Sequence, residues 1–185
     1  MKKFKPLPSK KYLDECFSYD RKTGVFIWKK RPQHHFKDNK TFISINKQRA
    51  GNIAGHYKPD SGYLILGIDS NSYRAHRIAW KMVTGRNPPD EIDHIDMNRK
   101  NCAISNLRSA TGCENARNRK AYSNNKLGIK GVSFNKKYGK YQVEIMRDRI
   151  KYNLGYYDNK EDAKKAYDEG AIKYHKDFSR TNELQ

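Results

Sequence analysis

Residues 91–119 read EIDHIDMNRKNCAISNLRSATGCENARNR, and no other stretch constrains the fold as tightly. The run through Asp93 and His94 reads as a short strand, and a polar loop follows it. Leu107 to Ala110 reads as a return strand, and a helix is expected from about Gly112, carrying Asn115. Strand, strand and helix must then close around one point. Upstream, Gly62 to Ile68 is a strand, Asp69-Ser70-Asn71-Ser72 a turn and Tyr73 to Ala75 the return strand. A helix from His76 to Thr84 places Ile78, Ala79, Met82 and Val83 on one face, and Gly85 supplies its stop. Asn87-Pro88-Pro89-Asp90 breaks the chain before the EIDHI strand.

The 185 residues suffice for one ordinary domain or two small ones. Lys and Arg number 39 against 20 Asp and Glu, a formal charge of +19. Such an excess points to a polyanionic partner, with nucleic acid favoured over membrane. It is uneven: residues 1–125 hold 25 basic and 11 acidic side chains, residues 126–185 hold 14 and 9. Most of the attraction therefore belongs with the Asp-His segment. No apolar run approaches the roughly 20 residues of a membrane span. MKKFKPLPSKK has charge with no hydrophobic region after it, so a cytoplasmic location is expected. Cys16, Cys102 and Cys113 form no C-x-x-C pair, which argues against a disulfide framework or a zinc knuckle. Apolar residues make up 36%, low for one large core, and 13 tyrosines supply amphipathic bulk instead.

Four stretches emerge: 1–47, 48–121, a linker at 122–126, and 127–185. In the first, Ser9 to Phe17 suits a short helix and Tyr19 to Trp28 a hairpin, while Pro32 to Lys47 lacks periodicity and reads as a surface loop. In the last, Gly131 to Phe134, Lys140 to Met146 and Ile150 to Leu154 are three strands, followed by a helix from Lys160 to about Tyr174. Along the middle strand Tyr141, Val143 and Ile145 share one face and Lys140, Gln142, Glu144 and Met146 the other. The helix, with Ala163, Ala166, Tyr167, Gly170 and Ala171, should pack on the Val143 face. Lys130, Lys140, Lys151 and Asn153 are then left on an open face for a partner.

Carboxylate, imidazole and amide are the parts of a metal-assisted phosphodiester hydrolase. Asp93 and the Asn115 carbonyl oxygen are hard ligands suited to Mg²⁺, and His94 can take a proton from water near neutral pH. The bland alternative for Asp93 and His94 is a hairpin salt bridge or a hydrogen-bonded pair. His76 opens its helix, where it either packs and caps or approaches the site. His34 and His35 read as a solvated loop, since adjacent residues rarely face one metal. Trp80 reads as core.

Residues 91–119, with Ala75-His76-Arg77-Ile78-Ala79-Trp80, resemble the HNH homing endonucleases of phages and mobile introns. Residues 127–182 resemble an AP2 DNA-binding domain, through Gly131-Val132, Leu154-Gly155-Tyr156-Tyr157-Asp158 and Ala163 to Asp168. The resemblance implies an α+β chain. A ββα-metal nuclease would be followed by a three-stranded antiparallel sheet packed on one helix.

It implies that His94 is the general base and that Asp93 and Asn115 hold one Mg²⁺ or Mn²⁺ per site. Asn106 would bond backbone across the loop to fix the His94 strand. The products would be 5′-phosphate and 3′-hydroxyl ends on double-stranded DNA. Asn118 and Arg119, three and four residues past Asn115, would share its helix face and contact phosphates, with Arg74, His76 and Arg77 beside them. On the AP2-like face, Lys130, Ser133, Asn135, Lys140, Glu144, Lys151 and Asn153 would meet DNA. Met146 stands where Arg is usual, and lysine lacks the fork that reads guanine, so no GC-rich target is implied. Monomer and homodimer stay open, and with them nicking against double-strand cutting. A non-catalytic DNA-binding regulator and a structure-selective nuclease are the competing readings.

Overall fold

The computed structural model describes residues 4–119, 121 and 125–182. The chain divides into two compact units, residues 1–110 and 111–185. No described helix is long and apolar enough to cross a membrane.

The first unit opens with α1 (Lys10–Cys16), N-capped by Ser9, whose Oγ accepts from Tyr12 N at 3.1 Å. The hairpin of β1 (Phe17–Tyr19) and β2 (Phe26–Trp28) pairs Phe17 with Trp28. Its turn packs on the loop that leads to the candidate site. Tyr19 Oη donates to Cys102 O at 2.7 Å, and Ile104 N to Arg21 O at 3.1 Å. Gly24 lies there at φ +74°, and a Cβ would fall 2.3 Å from Ala103 N, so no other residue fits.

The expected loop over 32–47 is instead largely α2 (Asn39–Arg49), capped by Asp38. The reason is local. α2 is anchored by an amide, not an apolar face: Asn46 accepts from Arg31 N at 2.9 Å and donates to Arg31 O at 3.0 Å. Apolar periodicity cannot report such an anchor.

Next come β3 (His56–Lys58), β4 (Tyr63–Ile68) and β5 (Asn71–Arg74), one antiparallel sheet in that order. Asp69 and Ser70, both at positive φ, make its two-residue turn. The Asp69 carboxylate accepts from Arg31 Nη2 at 2.8 Å and from the Tyr12 hydroxyl. α3 (Ala75–Thr84) follows without a break and ends at Gly85 in the left-handed conformation. β6 (Glu91–His94) and β7 (Leu107–Ala110) form an antiparallel pair.

One core joins these elements. Leu13, Cys16, Phe17, Phe26 and Trp28 pack with Leu66, Ile78, Met82, Ile92 and Leu107. The division read at residue 47 therefore has no counterpart in the packing. The N-terminal stretch is a brace for the hairpin loop.

The second unit opens with α4 (Gly112–Arg117), closed at its start by a capping box between Thr111 and Glu114. Of the expected linker, 122–124 lie outside the described residues. β8 (Val132–Asn135), β9 (Lys140–Arg147) and β10 (Ile150–Tyr157) form an antiparallel sheet with β9 central. α5 (Lys160–His175) covers the face of Val132, Val143 and Ile145 with Ala163, Tyr167 and Ala171.

Candidate active site

Strand alternation decides where the Asp-His pair points. In the β6–β7 register Asp93 faces Arg108 and His94 faces Leu107, so the two side chains leave the strand on opposite faces. Both are buried, with 4% exposure each. On one face Arg108 donates to Asp93 Oδ2 through Nε at 2.9 Å and Nη2 at 2.7 Å. The hairpin ion pair weighed as the bland alternative is therefore present for Asp93, with Arg108 as its partner.

On the other face His94 meets α3. Its ring lies edge-on to that of His76, with centroids 4.9 Å apart, and 6.1 Å from the ring of Tyr63. Burial pushes the His94 imidazole down to about 4, against an opposite pull from Asp96 and Asp93, and Arg99 adds to the depression. His76 is also held well below its ordinary range, first by burial and then by His94 and the nearby arginines. Both rings are thus neutral at pH 7. His76 Nδ1 is buried without a hydrogen-bond partner among the described residues. His76 thus sits against the candidate base.

The loop between β6 and β7 is held by its own side chains. Asn106 accepts from Asp96 N at 2.9 Å and donates to Asp96 Oδ1 at 2.8 Å and Asn101 O at 3.0 Å. Ile95 N adds a bond to Asn106 O at 2.9 Å. Asp96 also accepts from Asn98 N and Asn101 Nδ2. A chain of Asx bonds thus closes the loop at the end of the His94 strand.

Asn115 lies on α4 in the second unit. That helix ends at Arg117, two residues short of Arg119. Asn118 is its C-cap and is buried, and Arg119 lies beyond it. They do not extend the Asn115 face as expected.

The remaining candidates differ in availability. The Arg74 guanidinium lies over the ring of Tyr63 at 4.3 Å. Arg77 is turned to the chain break, donating to Pro89 O at 2.9 Å. Lys130 precedes β8 and is not on the open sheet face. Its Nζ donates to Arg119 O at 2.8 Å and to Arg117 O, and burial pushes its amine down to about 8. Lying before Val132, the residue is outside the strand and so is not placed by its alternation. Ser133, Asn135, Lys140, Glu144, Lys151 and Asn153 do occupy the face opposite α5, by their register with Gln142, Lys140, Asn135, Asn153, Met146 and Glu144. Lys140 pairs there with Asp158 and Lys151 with Glu144, each at 3.1 Å.

Four residues of the site escaped the sequence reading: Tyr63, Asp96, Arg99 and Arg108. Arg108 was within reach, since pairing Leu107 with His94 fixes Arg108 opposite Asp93. Away from this site, Glu15, His34 and His35 offer ligand atoms within 4.8 Å of one another. Arg31 Nε donates to His35 Nδ1 at 3.2 Å, which leaves the proton on Nε2, facing Glu15 Oε2 at 2.7 Å. A cation would need that nitrogen's lone pair, so the group is a hydrogen-bonded cluster.

Comparison with known proteins gives the sequence a family context. Residues 73–117 match a family model described as HNH endonuclease. The chain is 29% identical over 145 residues to a protein named as an uncharacterized HNH endonuclease of Acanthamoeba polyphaga mimivirus, covering 77% of this chain and 74% of that one. It is 35% identical over 82 residues to Protein 3.8 of Escherichia phage T7, covering 44% of this chain and 68% of that one. No solved structure matches the chain at a significant level.

Proposed function

The chain is an HNH-family DNA endonuclease, a hydrolase of phosphodiester bonds, and on that premise we propose that it cuts double-stranded DNA at a metal-assisted site built on His94. The carrying observation is the buried imidazole of His94, next in sequence to a buried carboxylate and set edge-on against the ring of His76. A neutral imidazole can accept the proton of the attacking water without first losing one of its own. Asp93 and the Asn115 amide oxygen are the proposed metal ligands. Their hard oxygens fit Mg²⁺ or Mn²⁺ better than a softer ion. When bound, such an ion supplies Lewis acidity at the scissile phosphate and charge stabilisation at the departing 3′ oxygen.

Within this reading Arg108 orients Asp93 from the facing strand, and Asn106 keeps the loop closed so that His94 does not move. Water attack in line with the 3′ oxygen leaves 5′-phosphate and 3′-hydroxyl ends. The second unit is proposed as an AP2-like DNA reader, its open face carrying Ser133, Asn135, Lys140, Glu144, Lys151 and Asn153. Mobile-element homing in a phage genome, with the enzyme acting in the host cytoplasm, is the proposed biological setting. One site per chain nicks one strand, and a double-strand break takes two chains or two events.

A second reading, a DNA-binding regulator without cleavage, draws on one observation: the Arg108 fork occupies Asp93 Oδ2. Conversion of supercoiled plasmid carrying the cognate locus separates the two. Cutting with Mg²⁺, its loss in EDTA and its loss in His94→Ala with binding retained are the expected results. Binding without cutting in Mg²⁺ and in Mn²⁺ would favour the regulator.

A further inference from the structure

Tyr63 stands at the start of β4, and two guanidiniums lie over its ring, Arg74 at 4.3 Å and Arg99 at 4.8 Å from the centroid. The ring also lies 5.2 Å from that of His76 and 6.1 Å from that of His94. Side chains from β4, β5, α3, β6 and the following loop therefore converge on the His94 face. Arg99 reaches it across bare backbone. It donates through Nη1 to Ser61 O at 2.9 Å, and a Cβ on Gly62 would sit 3.6 Å from its Cδ.

Three other sheltered arginines are matched by acids: Arg31 by Asp69, Arg108 by Asp93 and Arg117 by Asp148. Among the described residues neither Arg74 nor Arg99 forms an ion pair with a carboxylate. Two positive groups drawn to one ring, neither in an ion pair, therefore share the His94 face with Asp96 and Asp93, which also act on the imidazole. The negative face of an aromatic ring attracts each cation, which can hold both in place without neutralising either. Forked guanidiniums match the oxygens of a phosphate better than any other side chain.

We propose that Arg74 and Arg99 form a two-guanidinium clamp for a backbone phosphodiester of the strand being cut, and that Tyr63 is the positioning residue that aims them. The inference rests on the reading of His94 as the base only for its location next to the reacting phosphate. The clamp as a phosphate site stands on the arginine geometry. Arg99, absent from the sequence-derived set, is then a substrate contact, and Tyr63 touches no DNA.

The test is the salt dependence of binding to a fluorescein-labelled random-sequence duplex in EDTA, where nothing is cut. Each phosphate-bound charge contributes about one unit to the slope of log K against log salt. Arg74→Gln and Arg99→Gln keep much of the side chain and remove the charge. Each is expected to lower the slope by about one, and the double variant by about two. Arg99→Lys should keep the slope. Tyr63→Phe should match the wild type, and Tyr63→Leu should lower both the slope and the single-turnover cutting rate, with the melting temperature checked in each case. Unchanged slopes in both glutamine variants would overturn the clamp, even if the wild type cuts. Lowered slopes in an enzyme that never cuts would support the clamp and sink the nuclease reading instead.

Discussion

Arg108 grips Asp93 by two hydrogen bonds to the same oxygen, Oδ2, at 2.9 and 2.7 Å, from directly across the β6–β7 pair. Two donors converging from the facing strand fix the orientation of the carboxylate. Both partners are largely sheltered, at 19% and 5% side-chain exposure. Removing the guanidinium should therefore leave a buried acid uncompensated, at a cost of about 3 kcal/mol. Urea denaturation of Arg108→Leu checks that loss. Mg²⁺ should raise the melting temperature of Arg108→Leu more than that of the wild type, since the metal then takes over the role of the arginine. An equal Mg²⁺ effect in both would remove Asp93 from the metal site.

Acid should weaken the fold through three buried histidines, His76, His94 and His175. His76 is depressed chiefly by burial, and so is His175, whose ring nitrogen lies 3.0 Å from Met146 O. The folded state of each binds its proton less well than the unfolded state, whose ordinary value is 6.5. The stability they support is complete above pH 6.5 and declines as pH falls below it. Melting temperatures followed from pH 8 down to pH 5 should be level at first and then drop. His175→Gln should flatten part of that drop, and a melting temperature rising toward pH 5 would contradict the assignment.

Gly24→Ala should damage the site from a distance. The new Cβ would meet Cys102 C at 2.4 Å and Ala103 N at 2.3 Å, at a residue already at φ +74°. Strain and overpacking together should cost more than about 2 kcal/mol. Because the same contact braces the loop leading to Asn106, cutting should fall further than the folded fraction does. Parallel denaturation and single-turnover cleavage at low temperature would show whether the two losses separate.

Lys130 offers a contrast with Arg99. Its amine donates to the carbonyls of Arg117 and Arg119, at the end of the helix that carries Asn115. Lys130→Met should slow cutting while leaving the salt slope of binding unchanged. Its folded value of about 8 lies below the ordinary 10.5, so the wild type should gain stability relative to Lys130→Met as pH rises from 8 toward 10.5. A slope lowered by one would return Lys130 to the DNA surface.

The parts of this fold that sequence discloses are those written in apolar periodicity and turn chemistry. β6, β7, α3 and the three strands of the second unit are of that kind, and the boundaries of β7 coincide with the expected Leu107 to Ala110. α2 was hidden because its anchor is the Asn46 amide gripping Arg31. Tyr63, Arg74 and Arg99 come together from positions far apart in the chain, and no local pattern announces a ring shared by two cations. Lys130 lies two residues before β8, outside the strand, where its amine caps the end of α4 instead of joining the open face.

The seam at residue 110 does not coincide with the family match, which runs on to residue 117. Asn115 is bound into the folding unit that also carries the open sheet. A genetic exchange that swaps the sheet at that seam would swap the proposed metal ligand along with it. The seam and the family boundary are two different cuts, and an exchange made at the first carries all of α4 away with the sheet.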